Sequence, residues 1–118
     1  MVFIKINNTL YLATVSGRVA DSNWDGRASK SITLEMDYAT AIKLFVNGLA
    51  WSIVMQTEEP VYDENGVQTG VETKEEVFDN NEYNLAGDIT DHRDGTITVK
   101  MGKLTELEEA YEIMLGGI

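Results

Sequence analysis

Residues 21 to 30 read DSNWDGRASK, with Asp21, Asn23 and Asp25 at alternate positions and Gly26 directly after them. Oxygen ligands at the first, third and fifth places and a glycine at the sixth are how an EF-hand calcium loop begins. The remainder departs from that chemistry. Ile32 occupies the place of the closing bidentate glutamate, Arg27 sets a cation beside any bound ion, and the flanks read as strands where an EF-hand has helices. The expectation is an Asx-stabilised turn and no metal site. The second Asp-rich turn, TDHRDG at 90–95, lacks the alternating spacing.

His92-Arg93-Asp94 has the order of the kinase catalytic-loop tripeptide, without the leucine and asparagine that follow it there and without a glycine-rich loop. His92 is the sole histidine and has Asp88, Asp91 and Asp94 near it, but no serine sits in a nucleophile elbow. The 20 acidic residues supply many carboxylate pairs, and abundance says nothing about the separation that glycoside hydrolysis needs. Cysteine is absent, which removes thiolate chemistry, a zinc ribbon and a disulfide framework. The residues therefore point to a non-catalytic protein with no cofactor-binding set.

The formal charge of −11 argues against nucleic-acid binding, which needs a cationic surface to displace counterions. The excess is local. Residues 57–82 carry nine acids and one lysine, whereas residues 1–56 carry four acids and five bases. An acidic insert thus sits on a nearly neutral scaffold. Within it, YDENGVQTG places Asn65-Gly66 between extended segments, which predicts a projecting hairpin with a type I′ turn. Tyr62, Asn65, Val67 and Val71 on that ribbon are candidate partner contacts. Trp24, an aromatic in a polar loop, either folds back or meets an oligomer partner, and Arg27 beside it pairs with a carboxylate of its own chain or of a neighbour.

The elements that would position these residues are legible in the patterning. A chain of 118 residues with 43% hydrophobic and 25% charged residues suits one folded domain, 1–118. No run approaches a membrane span, and the amino terminus lacks a signal-peptide pattern, so synthesis in the cytoplasm is expected. Val2 to Ile6, Asn7-Asn8 and Leu10 to Val15 read as an opening hairpin. SKSITLEM alternates like a half-buried strand, and Asp37 caps a helix over about 38–46 with Tyr38, Ala41, Ile42 and Phe45 on one face. LAWSIVMQ at 49–56 reads as a strand buried on both faces in mid-sheet. EYNLAGDI and GTITVKM read as further strands. Thr105 with Glu108 forms a capping box for a second helix, whose stripe of Leu104, Leu107, Tyr111 and Met114 ends at Gly116-Gly117.

The halves resemble each other. SITLEM at 31–36 matches TITVKM at 96–101, AIKLFVNGL at 41–49 matches AYEIMLGGI at 110–118, and GRVADSNWDG corresponds to GDITDHRDG. Each half reads strand, Asp-rich turn, strand, helix, which suggests an internal duplication. Shared turn chemistry would give the same punctuation without one. Either way the class is α+β, mainly antiparallel sheet, with both helices packed on it.

SGRVADSNWDGRASKSITLEM, LAWSIV and LAGDITDHRDGTITVKMGK together resemble small uncharacterised proteins encoded in phages and prophages of Gram-positive bacteria. The resemblance covers most of the chain outside the acidic insert and carries no catalytic residues. It implies a virion-associated or tail-region component, made in the host cytoplasm, that works as a homo-oligomer or with other virion proteins, without nucleic acid or membrane. Two other functions stay open at this level: a host-directed binding protein, such as an acidic mimic of nucleic acid, and a weak calcium- or carbohydrate-binding module on the Asp-rich loops.

Overall fold

A computed structural model describes residues 1–116. The chain runs β1 (Val2–Ile6), β2 (Thr9–Asp21), β3 (Arg27–Glu35), α1 (Tyr38–Leu44), β4 (Ser52–Tyr62), β5 (Gln68–Asp79), β6 (Leu85–Asp91), β7 (Thr96–Gly102) and α2 (Glu106–Gly116). The seven strands form one sheet in the order β5-β4-β1-β2-β3-β7-β6, and every neighbouring pair is antiparallel. The fold is α+β. No helix among the described residues is long and apolar enough to cross a membrane.

The opening hairpin turns through Asn7 and Asn8, both at positive φ (50° and 66°), where asparagine is among the few side chains that fit readily. β2 then serves two partners. Its first part pairs with β1, Leu12 opposite Phe3, and from Ala13 opposite Leu34 onward it pairs with β3. The 13-residue strand is therefore the hinge line between two half-sheets.

Alternation along the strands sends one set of side chains inward. Ile4 and Ile6 from β1, Ala13 from β2, Ile32 and Leu34 from β3, and Ile97, Val99 and Met101 from β7 are buried together. Trp51 completes this core, its backbone N–H donating to Asn81 Oδ1 at 2.9 Å and its indole Nε1–H to the Tyr83 carbonyl at 2.8 Å. A buried indole keeps its one donor satisfied in this way.

α1 starts where Asp37 accepts the Thr40 N–H at 2.7 Å, and ends at Leu44, two residues short of the expected 46. Phe45 leaves helical geometry with ψ of 88° so that its ring enters the core. Two other expectations are corrected. The strand read at 49–56 begins only at Ser52, and β4 lies second from the sheet edge, between β1 and β5, since Leu49 to Trp51 serve as the entry loop. The helices do not both pack on the sheet: α1 buries Ala41, whereas the side chains of α2 from Glu109 to Leu115 are all exposed. Gly117, half of the expected glycine stop, lies outside the described residues, as does the end of the 110–118 match.

Candidate assembly surfaces

The Asp21–Gly26 turn is organised by Asp21, whose carbonyl accepts the N–H groups of Trp24 and Gly26 at 3.0 and 2.8 Å, with Asp25 and Gly26 at positive φ. Its carboxylate is fully buried. It accepts the Asn23 N–H at 2.9 Å, the Ser29 hydroxyl at 3.3 Å and the Lys100 ammonium at 2.7 Å. The Lys100 hydrogen bond, followed by that from Asn23, holds its pKa below the usual carboxylate range. These bonds commit the first acidic side chain of the calcium-like spacing to a lysine and a turn. Among the described residues no group of three or more His, Cys, Asp or Glu could hold a metal.

Trp24 folds back over β6 and β7. Cβ atoms at Gly87 and Gly102 would stand 2.8 and 2.7 Å from its ring, so both positions need glycine for the indole to lie flat there. The Arg27 guanidinium lies 5.0 Å from the Trp24 ring centroid, and the Arg27 side chain is only 5% exposed. It donates to Glu108 Oε1 at 2.6 Å, to Oε2 at 3.2 Å and to the Lys103 carbonyl at 3.1 Å. The fork grips both oxygens of one carboxylate, the geometry guanidinium favours. Arg27 beside it lowers the Glu108 pKa to about 2. Of the two residues, Trp24 covers its own sheet and Arg27 is bound within its own chain.

Glu108 also closes the expected capping box, accepting the Thr105 N–H at 2.9 Å while its own N–H donates to Thr105 Oγ1 at 3.2 Å. These bonds fix the first turn of α2, and among the described residues no side-chain hydrogen bond or ion pair ties the later turns to the sheet. Leu107 is 81% exposed and Tyr111 61%, and Ile113, Met114 and Leu115 are exposed as well.

Tyr62, Asn65, Val67 and Val71 lie together at the far end of the β4–β5 hairpin, and all four are exposed. The turn differs from the type I′ expectation. Gly66 N–H bonds to the Asp63 carbonyl, Asp63 N–H bonds to the Val67 carbonyl, and Gly66 has positive φ while Asn65 does not. That is a type I turn with a glycine bulge. Asp63 decides it, its carboxylate accepting the N–H groups of Asn65 at 2.8 Å and Val67 at 2.9 Å. β1 reaches β4 only as far as Val2 opposite Met55, so from Thr57 onward the hairpin has two free edges. All twelve residues of β5 are exposed.

One surface was missed by sequence reasoning. Val77, Val54, Phe3 and Leu12 stand directly opposite one another across β5, β4, β1 and β2. They occupy the face opposite Ile4 and Ile53. Val54 is fully buried within this row, while Leu12 is 57% exposed. Where β2 passes from β1 to β3, Val2, Leu10, Leu12, Leu34 and Thr96 help to line a groove of about 650 Å³. A signal was available: Leu10, Tyr11, Leu12 and Ala13 are apolar on both faces of one strand, where a solvent-facing side would alternate with polar residues.

The sequence-singled histidine does turn work. His92 Nε2 lies 2.7 Å from Thr98 Oγ1, Asp91 accepts the Arg93 N–H at 2.9 Å, and Asp94 accepts from Thr96. No protein-family model, curated protein or solved structure matches the chain.

Proposed function

We propose that this chain is a non-catalytic structural or assembly component that works by self-association, and that its setting is a phage particle or its tail region, built in the host cytoplasm. The observation that carries the reading is shape combined with apolar exposure. A compact domain of this length has a radius of gyration of about 13.5 Å. This chain has 18.3 Å and extents of 66 × 39 × 26 Å, and both β5 of the β4–β5 hairpin and α2 from Glu109 to Leu115 are exposed along their length. Large apolar side chains, Val61, Tyr62, Val67, Val71, Leu107, Tyr111 and Met114 among them, stand in water on these arms. Exposed apolar surface of this extent marks an interaction site.

The phage setting rests on the resemblance of the scaffold segments to small phage and prophage proteins. A duplicated origin fits the same picture: the units β2–β3–α1 and β6–β7–α2 abut antiparallel at β3–β7, and Thr33 faces its counterpart Thr98 there. Tyr62, Asn65, Val67 and Val71 are the ribbon contacts assigned to this role.

Light scattering across protein concentration tests it. A mass above the 13.1 kDa of one chain, rising with concentration to a defined species, is the expected result. One chain at every concentration would overturn self-association.

A further inference from the structure

We infer that β5 of one copy pairs antiparallel with β5 of a second copy about a two-fold axis at Thr73, so that one sheet runs through both; this rests on the self-association reading above. The other free edges of the sheet are closed. On β6, Asn47 Oδ1 takes the Ala86 N–H at 2.8 Å, the Gly48 N–H donates to the Asn84 carbonyl at 2.8 Å, and the register with β7 breaks between Ala86 and Ile89. On β4, the Gln56 N–H bonds to the Met1 carbonyl, so Gln56 and every second residue after it turn their backbone groups to the side of β1. Pro60 falls in that set and has no N–H to offer. Proline, bulges and covering loops are the devices that keep an edge from pairing.

From Gly70 to Asp79, β5 holds no proline, and its pairing with β4 runs without a shift. The Asn80 N–H bonds to the Trp51 carbonyl in that same register. Counting back from it, Phe78, Glu76, Lys74 and Glu72 turn their backbone groups to β4, whereas Val71, Thr73, Glu75 and Val77 turn theirs outward, where the sheet order ends. Such an edge accepts an added strand. The side chains select which one. A two-fold pairing centred on Thr73 sets Lys74 opposite the partner's Glu72 on both sides of the axis, and no like charges stand directly opposite each other. Lys74, which already bonds Glu59 at 2.8 Å, then lies between two carboxylates. Other centres fail. Lys74, Glu72, Glu75 or Glu76 would each face its own copy, Val77 sets Glu75 against Asp79, and Gly70 or Val71 leaves Lys74 without an opposing carboxylate. The strand is complementary to itself in one register, which names a second copy as its occupant and a two-fold dimer as the product.

The test uses full-length variants at exposed positions, with unfolding midpoints close to wild type expected to show that each folds. Thr73→Pro removes an outward N–H and no bond to β4, and is expected to stay monomeric. Lys74→Glu and Glu72→Lys, each alone, turn both attractive pairs at the axis into repulsive ones, so self-association is expected to weaken about tenfold or more. Mixed in equal amounts, these two again set lysine against glutamate at every pair and are expected to form a dimer of twice 13.1 kDa at least as readily as wild type. In wild type, the amides of Val71, Thr73 and Glu75 should gain protection from exchange as rising concentration fills the dimer. A Thr73→Pro chain that associates like wild type, or a mixture no tighter than its two components, would overturn the β5 pairing and leave self-association through other surfaces. A wild type that is itself monomeric at every concentration would overturn both.

Discussion

Gly102 is glycine for a reason that lies 78 positions away in the sequence, in the indole of Trp24. A methyl group there would meet Trp24 at 2.7 Å and the Arg27 Cδ at 2.8 Å, so Gly102→Ala is expected to destabilise the fold by about 1–3 kcal/mol, the usual cost of overpacking. Denaturant unfolding measures the loss, and part of it should vanish when Trp24→Ala is added, because the two changes share one contact. The sequence announced Trp24 as an aromatic needing an explanation and Arg27 as a cation needing a carboxylate. It did not announce Gly87 or Gly102. Glycine in a strand has several causes, and only the turn that lays the indole over both positions selects among them.

Glu108 joins the second helix to the sheet through a single residue. Its pKa is lowered from 4.5 to about 2, first by the Arg27 hydrogen bond and then by that from the Thr105 N–H. The folded value lies below the unfolded one, so this anchorage is at full strength above pH 4.5 and fades as the pH falls toward 2. The protection of the Glu109 amide, whose N–H bonds to the Thr105 carbonyl at 2.9 Å, measured relative to unfolded chain at the same pH, should fall across that window, and Glu108→Gln should abolish that fall. The capping box was readable because it is local: two residues three apart define it. The destination of the helix was not, since an apolar stripe states that something must cover it and leaves open whether that cover is its own sheet. The β4–β5 turn shows the same limit. Asn65-Gly66 located the bend correctly, but Asp63 two residues earlier chose its type by taking two backbone N–H groups.

The molecule is a small antiparallel core with two outward arms, and its dimensions say so more plainly than any one contact. Small-angle scattering at a protein concentration where light scattering gives the mass of one chain should yield a radius near the 18.3 Å of the extended shape, not the roughly 13.5 Å of a compact domain. A compact value would show that the arms fold back and would remove the case for an outward helix. The antiparallel α+β class, the opening hairpin and most strands were legible because alternation and turn residues are written over short stretches. The sheet order was not. β7 inserts between β3 and β6, and β4 returns to pair with β1, arrangements decided by which apolar faces fit together across the whole chain.

That order also governs how the chain comes to be folded. The two central rows of the core, Leu34 with Ile97 and Ile32 with Val99, join residues more than 60 positions apart. Until β7 arrives, β3 is an unprotected edge with Ile32 and Leu34 uncovered, flanked only by the locally formed β2. Closing such long loops is entropically slow, so folding belongs among the millisecond-to-second reactions of all-β chains and not the microsecond reactions of helical bundles. During that interval the nascent protein is open to strand exchange with its own kind, and expression at lower temperature and lower density should raise the yield of correctly closed chains.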